Sequence, residues 1–581
     1  MRNAEVAAVL ERIADLLEID GADRFRVNSY RRASRSVKDA PDAVEALAES
    51  GKLGTLPGVG KGTVARIEQY LQTGSINVLR ELEGKLPPHL PDMLAIQGLG
   101  PRKIAQLHRD LGVASIEDLK AAVADGLVAE LDGFGETSAK RILEGIEFLE
   151  RSTGRTPLGV ALPIAEALLE KVRALPGVAR AEVAGSLRRG RETIGDVDIL
   201  CEAADGKSIV EKFVAFEEVK RVLASGGTKG SITVGLPGGG ELQVDLRVVP
   251  GESFGAAWQY FTGSKEHNVR LREIAVRKKL RLNEYGLFDG EKSLAGRTEE
   301  SIYGNLGVTC PPPELREDRG ELAADFSFED LITLDDIRGD LHVHTVASDG
   351  KNSIEEMAEA ARALGYKYVA ICDHSESSVI ANGLSIERAR EHLAAIRAAN
   401  DAVKGIEILA GSECDILPDG SLDYPDDLLA ELDLVVASIH VSMGKGGKDK
   451  ASPTERTLAA IANPYVTVIG HPTGRLLGKR EAMDLDVAAI VAAAAENGTV
   501  LEINAAWQRL DLKAEHARQA LDAGVTLAID TDAHSTEGLR QMRFGVMTAR
   551  RAGARRADVL NALPLAQFKK RIRAKRERAR K

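Results

Sequence analysis

The chain of 581 residues is too long for a single hydrophobic core; at roughly 100–200 residues per domain it holds about three to five domains. With 44% hydrophobic and 28% charged residues it is not a disordered chain, and with 4% aromatics it has few stacking platforms for single-stranded nucleic acid. The net charge of −11 excludes a uniformly basic surface but leaves room for local patches. Four cysteines (Cys201, Cys310, Cys372 and Cys414) form no CxxC pair, which fits a reducing compartment. The first residues include Arg2, Glu5, Glu11 and Arg12, so they lack the apolar centre of a signal peptide. No apolar run approaches the ~20 residues of a membrane span. A cytoplasmic protein without a membrane partner is expected.

Residues 1–150 read as helices: Val6, Val9, Leu10, Ile13, Leu16 and Leu17 recur at helical spacing. One element appears three times there, as "LPGVGKGTVARI" from residue 56, "IQGLGPRKIAQL" from 96 and "LDGFGETSAKRI" from 131. Each sets two glycines around an apolar residue, just before a helix begins. The pairs are Gly58 and Gly60, Gly98 and Gly100, and Gly133 and Gly135. Glycine allows the tight turn, and the free N–H groups of the helix start attract an anion. Three copies point to helix-hairpin-helix elements that grip DNA phosphates without reading sequence.

From about residue 151 the pattern changes to strands, as in "AEVAGSLRRG", "DVDILCEA", "SITVGLP" and "ELQVDLRVV", with "GLPGGGE" as a hairpin turn. Asp196 and Asp198 share one strand face while Val197 and Ile199 point to the core. Asp245 lies opposite the buried face made by Leu242, Val244, Leu246 and Val248. If these strands are neighbours, three carboxylates converge. Such a cluster repels itself unless cations enter it, and two Mg2+ ions roughly 3.5–4 Å apart are the usual solution in phosphoryl transfer. In "GSLRRG", Gly185 turns the chain, Ser186 offers a hydroxyl and an N–H, and Arg188 or Arg189 supplies a fixed positive charge for a triphosphate.

Residues 316–336, polar and acidic after "PPP", read as a linker. Beyond 337, short strands alternate with helices, which suggests parallel strands that can close as a barrel. Eight of the 11 histidines fall after residue 340. His392 and His516 lie in charged helical stretches and are expected to face solvent. The other six (His342, His344, His374, His440, His471 and His534) end short apolar runs, so they gather at strand C-terminal ends together with Asp349, Glu413 and Asp532. Mixed imidazole and carboxylate ligands suit Zn2+, Mn2+ or Fe2+. The basic run at 569–581, with nine Lys/Arg and one Glu, reads as a solvated tail or a phosphate-contacting one.

The first half resembles the family X DNA polymerases, on the first Gly-x-Gly hairpin, "GSLRRG", "GDVDIL", "QVDLR" and "YFTGSKEHNVRLR". The resemblance implies that Asp196 and Asp198 hold two metals and that Asp245 holds the catalytic one and helps activate the primer 3′-OH. It implies that Ser186, Arg189 and Gly195 contact the triphosphate. Tyr260, Phe261 and Gly263 would line the sugar pocket, with Asn268 and Arg272 reaching the base and template side. Family members with 5′-deoxyribose-phosphate lyase activity carry a Schiff-base lysine where this chain has Arg66, and an arginine stays protonated. Lys61 sits in the turn. DNA-end binding, through Arg26, Tyr30 and Arg32, is therefore expected with weak or absent lyase activity.

The second half resembles the PHP (polymerase and histidinol phosphatase) domains, on "HVH…D", "DH", "GSE", "IH", "GHP" and "DAH" in that order. The resemblance implies a distorted (β/α)7 barrel. His342, His344, Asp349, His374, Glu413, His440, His471, Asp532 and His534 match its nine ligand positions, for up to three ions of Mn2+ or Zn2+. Arg475 and Arg509 are candidate phosphate contacts.

The combination is that of the bacterial family X polymerases. The expected architecture is multidomain α/β: an N-terminal helical DNA-end-binding, lyase-like domain at 1–80 and helix-hairpin-helix fingers at 81–150. A mixed α/β nucleotidyltransferase palm follows at 151–250, then a thumb at 251–315, the linker at 316–336, the PHP domain at 337–570 and a basic tail at 571–581. The expected activities are gap filling in DNA repair with Mg2+ and dNTPs on gapped or primer–template DNA, and a metal-dependent 3′–5′ exonuclease. A monomer associated with the nucleoid is expected. Alternatives are an AP endonuclease or 3′-phosphatase at the PHP site, a nucleotidyltransferase with a non-DNA acceptor, and a DNA-end-binding scaffold.

Overall fold

The structure, a computed structural model, describes residues 3–38, 40, 43–87, 89–96, 99–152, 154–237, 239–323, 328–444 and 451–578. Packing divides the chain into two units. One comprises residues up to 154 with 235–241 and 478–480; the other comprises the rest. The first 152 residues are helical wherever regular structure is described. Helix Asn3–Ile19 buries Val6, Leu10, Ile13 and Leu17, the stripe seen in its spacing. Helices Lys61–Thr73 and Pro101–Leu111 start on Gly60 and Gly100, so no side chain caps their first N–H groups. Gly58 has φ +76°, and a Cβ there would come within 2.9 Å of Arg32 Cβ. The third hairpin leads into helix Gly135–Ser152; Gly98 lies outside the described residues.

In the second unit a five-stranded sheet runs Val178–Val183, Asp196–Ala203, Glu241–Val249, Lys229–Gly235, Val219–Ser225. Its second and third strands are parallel, with Asp198 directly opposite Asp245. Val197, Ile199, Val244 and Leu246 are buried on the other face, as period-two alternation requires.

A three-stranded sheet of Arg281–Asn283, Gly286–Asp289 and Lys292–Ala295 follows. It packs with helices Phe254–Thr262, Lys265–Arg277 and Glu299–Leu306. A buried ion triad ties this region to the palm: Glu299 lies 2.7 Å from Arg188 Nη2 and also binds Arg316. Arg316 falls in the stretch expected to be a linker, yet it is buried, as is Glu321, whose carboxylate lies 2.6 Å from His267 Nδ1. Their polarity is matched by partners that local composition does not reveal; residues 324–327 of that stretch lie outside the described set.

The remaining seven strands are parallel and ordered as in the chain: Gly339–Val343, Tyr368–Ile371, Glu407–Asp415, Leu434–Ser438, Val468–Ile469, Val500–Asn504 and Leu527–Asp530. A parallel bridge between Val343 and Ala533 brings the last strand back to the first, giving the expected (β/α)7 barrel. The basic run does not form a tail. Through Arg578 it continues helix Leu565–Arg578, which closes the barrel floor. Phe568 is fully buried and stacks on Tyr368 at 4.9 Å. Lys575 donates to the Ile461 carbonyl at 3.1 Å and to Thr499 Oγ1 at 2.8 Å. Its amine, lowered to about 7 by burial, thus meets oxygens of the barrel floor instead of solvent or phosphate; residues 579–581 lie outside the described set.

Two outcomes are expected. Phe568→Ala empties a closed floor and should cost about 3–5 kcal/mol, read as a lower barrel unfolding midpoint. Burial would raise the Glu299 carboxyl, but Arg188 and Arg316 outweigh it and hold it at about 2. The triad is therefore at full strength above the unfolded glutamate value and is lost as pH falls through about 2. Glu299→Gln should abolish that pH-dependent step in thermal unfolding.

Candidate active sites

Strand pairing sets the buried Asp245 beside Asp198, at a cleft that Asp196 and Asp198 line and Asp245 does not. The cleft has a volume of about 730 Å3. Asp196 and Asp198 line it, and so do Ser186, Arg189, Gly195, Tyr260, Phe261, Gly263, Asn268 and Arg272. Gly185 has φ +63°, and a Cβ there would collide with the Asp198 carboxylate, so glycine lets the Ser186 turn approach the acids. Of the two arginines left open by the sequence, Arg188 stacks on Trp258 at 3.4 Å and pairs with Glu299, leaving Arg189 to face the cleft. Asn268 Nδ2 donates to the Tyr260 carbonyl at 2.7 Å, which fixes the turn after the aromatic pair.

Burial and then the neighbouring Asp196 and Asp245 push Asp198 up to about 7. That shift marks uncompensated negative charge, the condition that divalent cations relieve. Asp245 behaves oppositely: burial would raise it, but Lys229, Ser231 and Gln243 hold it below the usual carboxylate range. Lys229 Nζ lies 2.7 Å and Gln243 Nε2 2.9 Å from its oxygens. Sequence reasoning missed these three, although Gln243 is two residues from Asp245 on the same strand face.

At the barrel's C-terminal end, a cavity of about 510 Å3 is lined by Asp349, His374, Glu413, His440, His471, Asp532 and His534. His342 and His344 lie fully buried beside Glu413 and Asp532. Glu413 is the hub. Its Oε1 lies 2.8 Å from His471 Nε2 and 3.3 Å from His440 Nε2. Its Oε2 lies 3.0 Å from His374, 3.3 Å from His342 and 3.6 Å from His344. Asp349 and Asp532 close further groups with His374, His344 and His534. Both Glu413 oxygens, both nitrogens of His344 and His471, and His342 Nε2 find no well-aligned hydrogen-bond partner among the described residues. Lone pairs converging without partners fit metal ions. Burial first, then neighbouring cations, lowers His344 and His471 to about 4, whereas at His440 and His534 burial is outweighed by the carboxylates around them, which raise them to about 10 and about 9. His471 and Asp532 hold φ of +24° and +53°, strain that the surrounding fold sustains at this site.

A second layer was not anticipated. Glu502 holds His342 Nδ1 at 2.7 Å and Asp415 holds His440 Nδ1 at 2.8 Å. Such partners fix ring orientation. Asp415 was legible two residues after Glu413; Glu502 was hidden inside an apolar strand. His392 does not face solvent: its Nε2 lies 2.7 Å from buried Asp373, which in turn fixes the Thr345 backbone. His516 is half-buried and lowered to about 4, by burial first. Arg509 lines the cavity with an unpartnered buried Nη1 among the described residues. Arg475 does not; it forms a bidentate pair with Glu192 at 2.7 and 3.1 Å. In the N-terminal unit Arg26 and Arg32 are exposed, Lys61 is exposed, and Tyr30 is buried beneath Arg66 at 5.5 Å.

A nucleotidyltransferase palm and a histidine–carboxylate barrel in one chain define a phosphoryl-transfer protein with two separate sites. Family profiles match in the same order: a helix-hairpin-helix domain at 1–76, a SAM-like helix-hairpin-helix tandem at 90–147, the DNA polymerase beta palm at 157–236, the DNA polymerase beta thumb at 257–317 and a PHP domain at 340–506. Asp532 and His534 lie beyond that last match, but barrel closure brings them to the cluster. The chain is 38% identical to the DNA polymerase/3′-5′ exonuclease PolX of Bacillus subtilis over 567 residues, 97% of this chain and 98% of that one. It is 26% identical to rat DNA polymerase lambda over 347 residues, 54% of this chain and 56% of that protein. A protein of Acetivibrio thermocellus named "probable phosphatase" is 32% identical over 203 residues, 34% of this chain and 78% of that one. The chain belongs to the bacterial family X DNA polymerases that carry a C-terminal PHP domain. No helix among the described residues is long and apolar enough to cross a membrane.

Glu413→Gln removes the hub charge and should lose at least one bound ion in a Mn2+ titration by calorimetry, whereas Glu407→Gln, on the same strand outside the cluster, should not.

Proposed function

We propose that this protein extends DNA 3′ ends across short gaps at the palm and trims 3′ ends at the barrel. The observation that carries the reading is an acidic trio and a histidine–carboxylate cluster of eight residues, with His471 joined through Glu413, in a chain similar along 97% of its length to a polymerase/exonuclease. Its substrates are gapped or primer–template DNA and dNTPs, and it acts as a monomer.

Asp196, Asp198 and Asp245 would hold two Mg2+ ions. His342, His344, Asp349, His374, Glu413, His440, His471, Asp532 and His534 would hold up to three Mn2+ or Zn2+ ions. When bound, the ions supply Lewis acidity that acidifies the attacking oxygen and offsets charge at phosphorus. The chain's own groups do the rest. Ser186 and Gly195 receive the triphosphate at the cleft wall, and Arg189 turns its guanidinium from Glu317 toward it. Tyr260, Phe261 and Gly263 set the sugar's position, with Asn268 and Arg272 toward the base. Lys229 holds Asp245 ionised, ready to accept a hydrogen bond from the 3′-OH. In the barrel Arg509 supplies a fixed cation to the scissile phosphate. The glycine hairpins at 58–60, 98–100 and 133–135 hold the DNA backbone, with Arg26 and Arg32 at an end. Arg66 rules out a Schiff base at its position.

A gapped-duplex assay tests both activities. Asp245→Ala should abolish template-directed extension and keep trimming; His344→Ala should do the reverse. Trimming that survives His344→Ala would sink the exonuclease assignment. The similarity to a phosphatase-named protein favours a second action on 3′-phosphates, and release of inorganic phosphate from a 3′-phosphorylated primer reads it directly.

A further inference from the structure

The palm segment Arg189–Glu192 forms one wall of the nucleotide cleft, and the barrel grips it at both ends. Arg551, on helix Met542–Ala552, donates through Nη1 to the Arg189 carbonyl at 2.9 Å and to Glu317 Oε1 at 3.0 Å. Glu317 also accepts from Arg189 Nε at 3.0 Å and lies 3.5 Å from Arg191 Nη1. Between these arginines Gly190 has φ +64°, and a Cβ there would stand 3.2 Å from Met547 of the same barrel helix. Glu192 is held by Arg475 from a barrel loop.

One carboxylate, Glu317, thus faces three guanidiniums: Arg189, Arg191 and Arg551. Arg551 is buried, and its Nε has no hydrogen-bond partner among the described residues. Such a buried cation is costly unless it is needed to compensate something. Glu317 is what it compensates. With Arg551 present, Glu317 keeps a permanent partner, and Arg189 can leave it for an incoming anion. Without Arg551, Glu317 would hold Arg189 more strongly and compete with the triphosphate. The contact to the Arg189 carbonyl fixes the backbone from which that side chain turns.

We propose that Arg551, carried by the PHP barrel, is a positioning residue of the polymerase: it shares Glu317 and anchors the Arg189 backbone, leaving the Arg189 guanidinium available to the nucleoside triphosphate. This rests on the reading of the cleft as a dNTP site.

The test is steady-state gap filling by the full-length protein. Arg551→Gln should raise KM for dNTP about tenfold or more, the factor for a lost hydrogen bond between charged groups, and leave kcat within about twofold. Arg551→Lys keeps the charge but not the fork and should recover part of the KM. If the Gln variant unfolds, shown by lost 3′ trimming, the Lys variant carries the test with a smaller rise. In a Glu317→Gln background the effect of Arg551→Gln should shrink. Unchanged KM in both Arg551 variants, or a fall in kcat alone, would overturn the proposal. Wild-type protein that incorporates no nucleotide would overturn the dNTP reading along with it; normal incorporation with unchanged KM would overturn this proposal only.

Discussion

Both sites depend on one constraint: like or unpaired charges can be gathered in a protein only if something later compensates them. Glu413 is the extreme case. It is fully buried, and five imidazoles face its two oxygens. The Asp198–Asp245 pair is a milder case at the palm. In each, strand pairing supplies the force. The burial of the alternate apolar residues holds the strands in register, and the register carries the charged residues together whether or not they attract. Hydrophobic burial thereby stabilises an arrangement that electrostatics alone opposes, and cation binding relieves that opposition.

Parallel strands build both sites, but differently. The palm places its acids on two neighbouring strands, whereas the barrel takes Glu413 from its third strand and Asp349 and Asp532 from the segments after its first and last strands. The palm needs only one strand pair, whereas the barrel draws its histidines and carboxylates from strand ends around a ring. The differences in depth follow. The palm cleft is open and holds one exposed acid, Asp196. In the barrel cluster His342 and His344 have no exposure, so Glu502 rather than water orients His342, while Asp415 orients the partly exposed His440.

Much of this was legible in the sequence, for a physical reason. Period-two alternation reports which residues share a face, so it puts Asp196 with Asp198 and sets Asp245 opposite a buried face; the trio then needs the two strands to be neighbours, and the histidines group by their place at the ends of apolar runs. Periodicity does not report partners. Arg188 and Arg189 are adjacent, and only the helical turn at Gly185–Arg188 sends one into a buried triad and leaves the other at the cleft. Arg475 ends a loop whose direction no pattern encodes, and its partner Glu192 is far away in the chain. His392 sits in a charged helix with solvent-like neighbours, yet faces Asp373. The basic run reads as a tail because its packed apolar residues, Phe568 and Ile572, are few among many cations, and the oxygens that receive Lys575 belong to distant elements. The polar stretch after the thumb misleads for the same reason: Arg316 and Glu321 are buried by their counter-charges.

The position of Phe568 also sets an order of events during synthesis. The ring that seals the barrel floor follows all seven of the barrel's strands in the chain, and about 320 residues after the last palm residue that pairs with the acidic strand. At about 5–20 residues per second, the ribosome takes roughly 16–64 s to cover that distance. For that interval the palm can fold while the hydrolase cannot close, and the helix bearing Arg551 has not yet been made for most of it. A nascent chain therefore passes through a stage with a polymerase sheet and no editing site, and the loop at Arg189–Glu192 waits for its second half before it is braced.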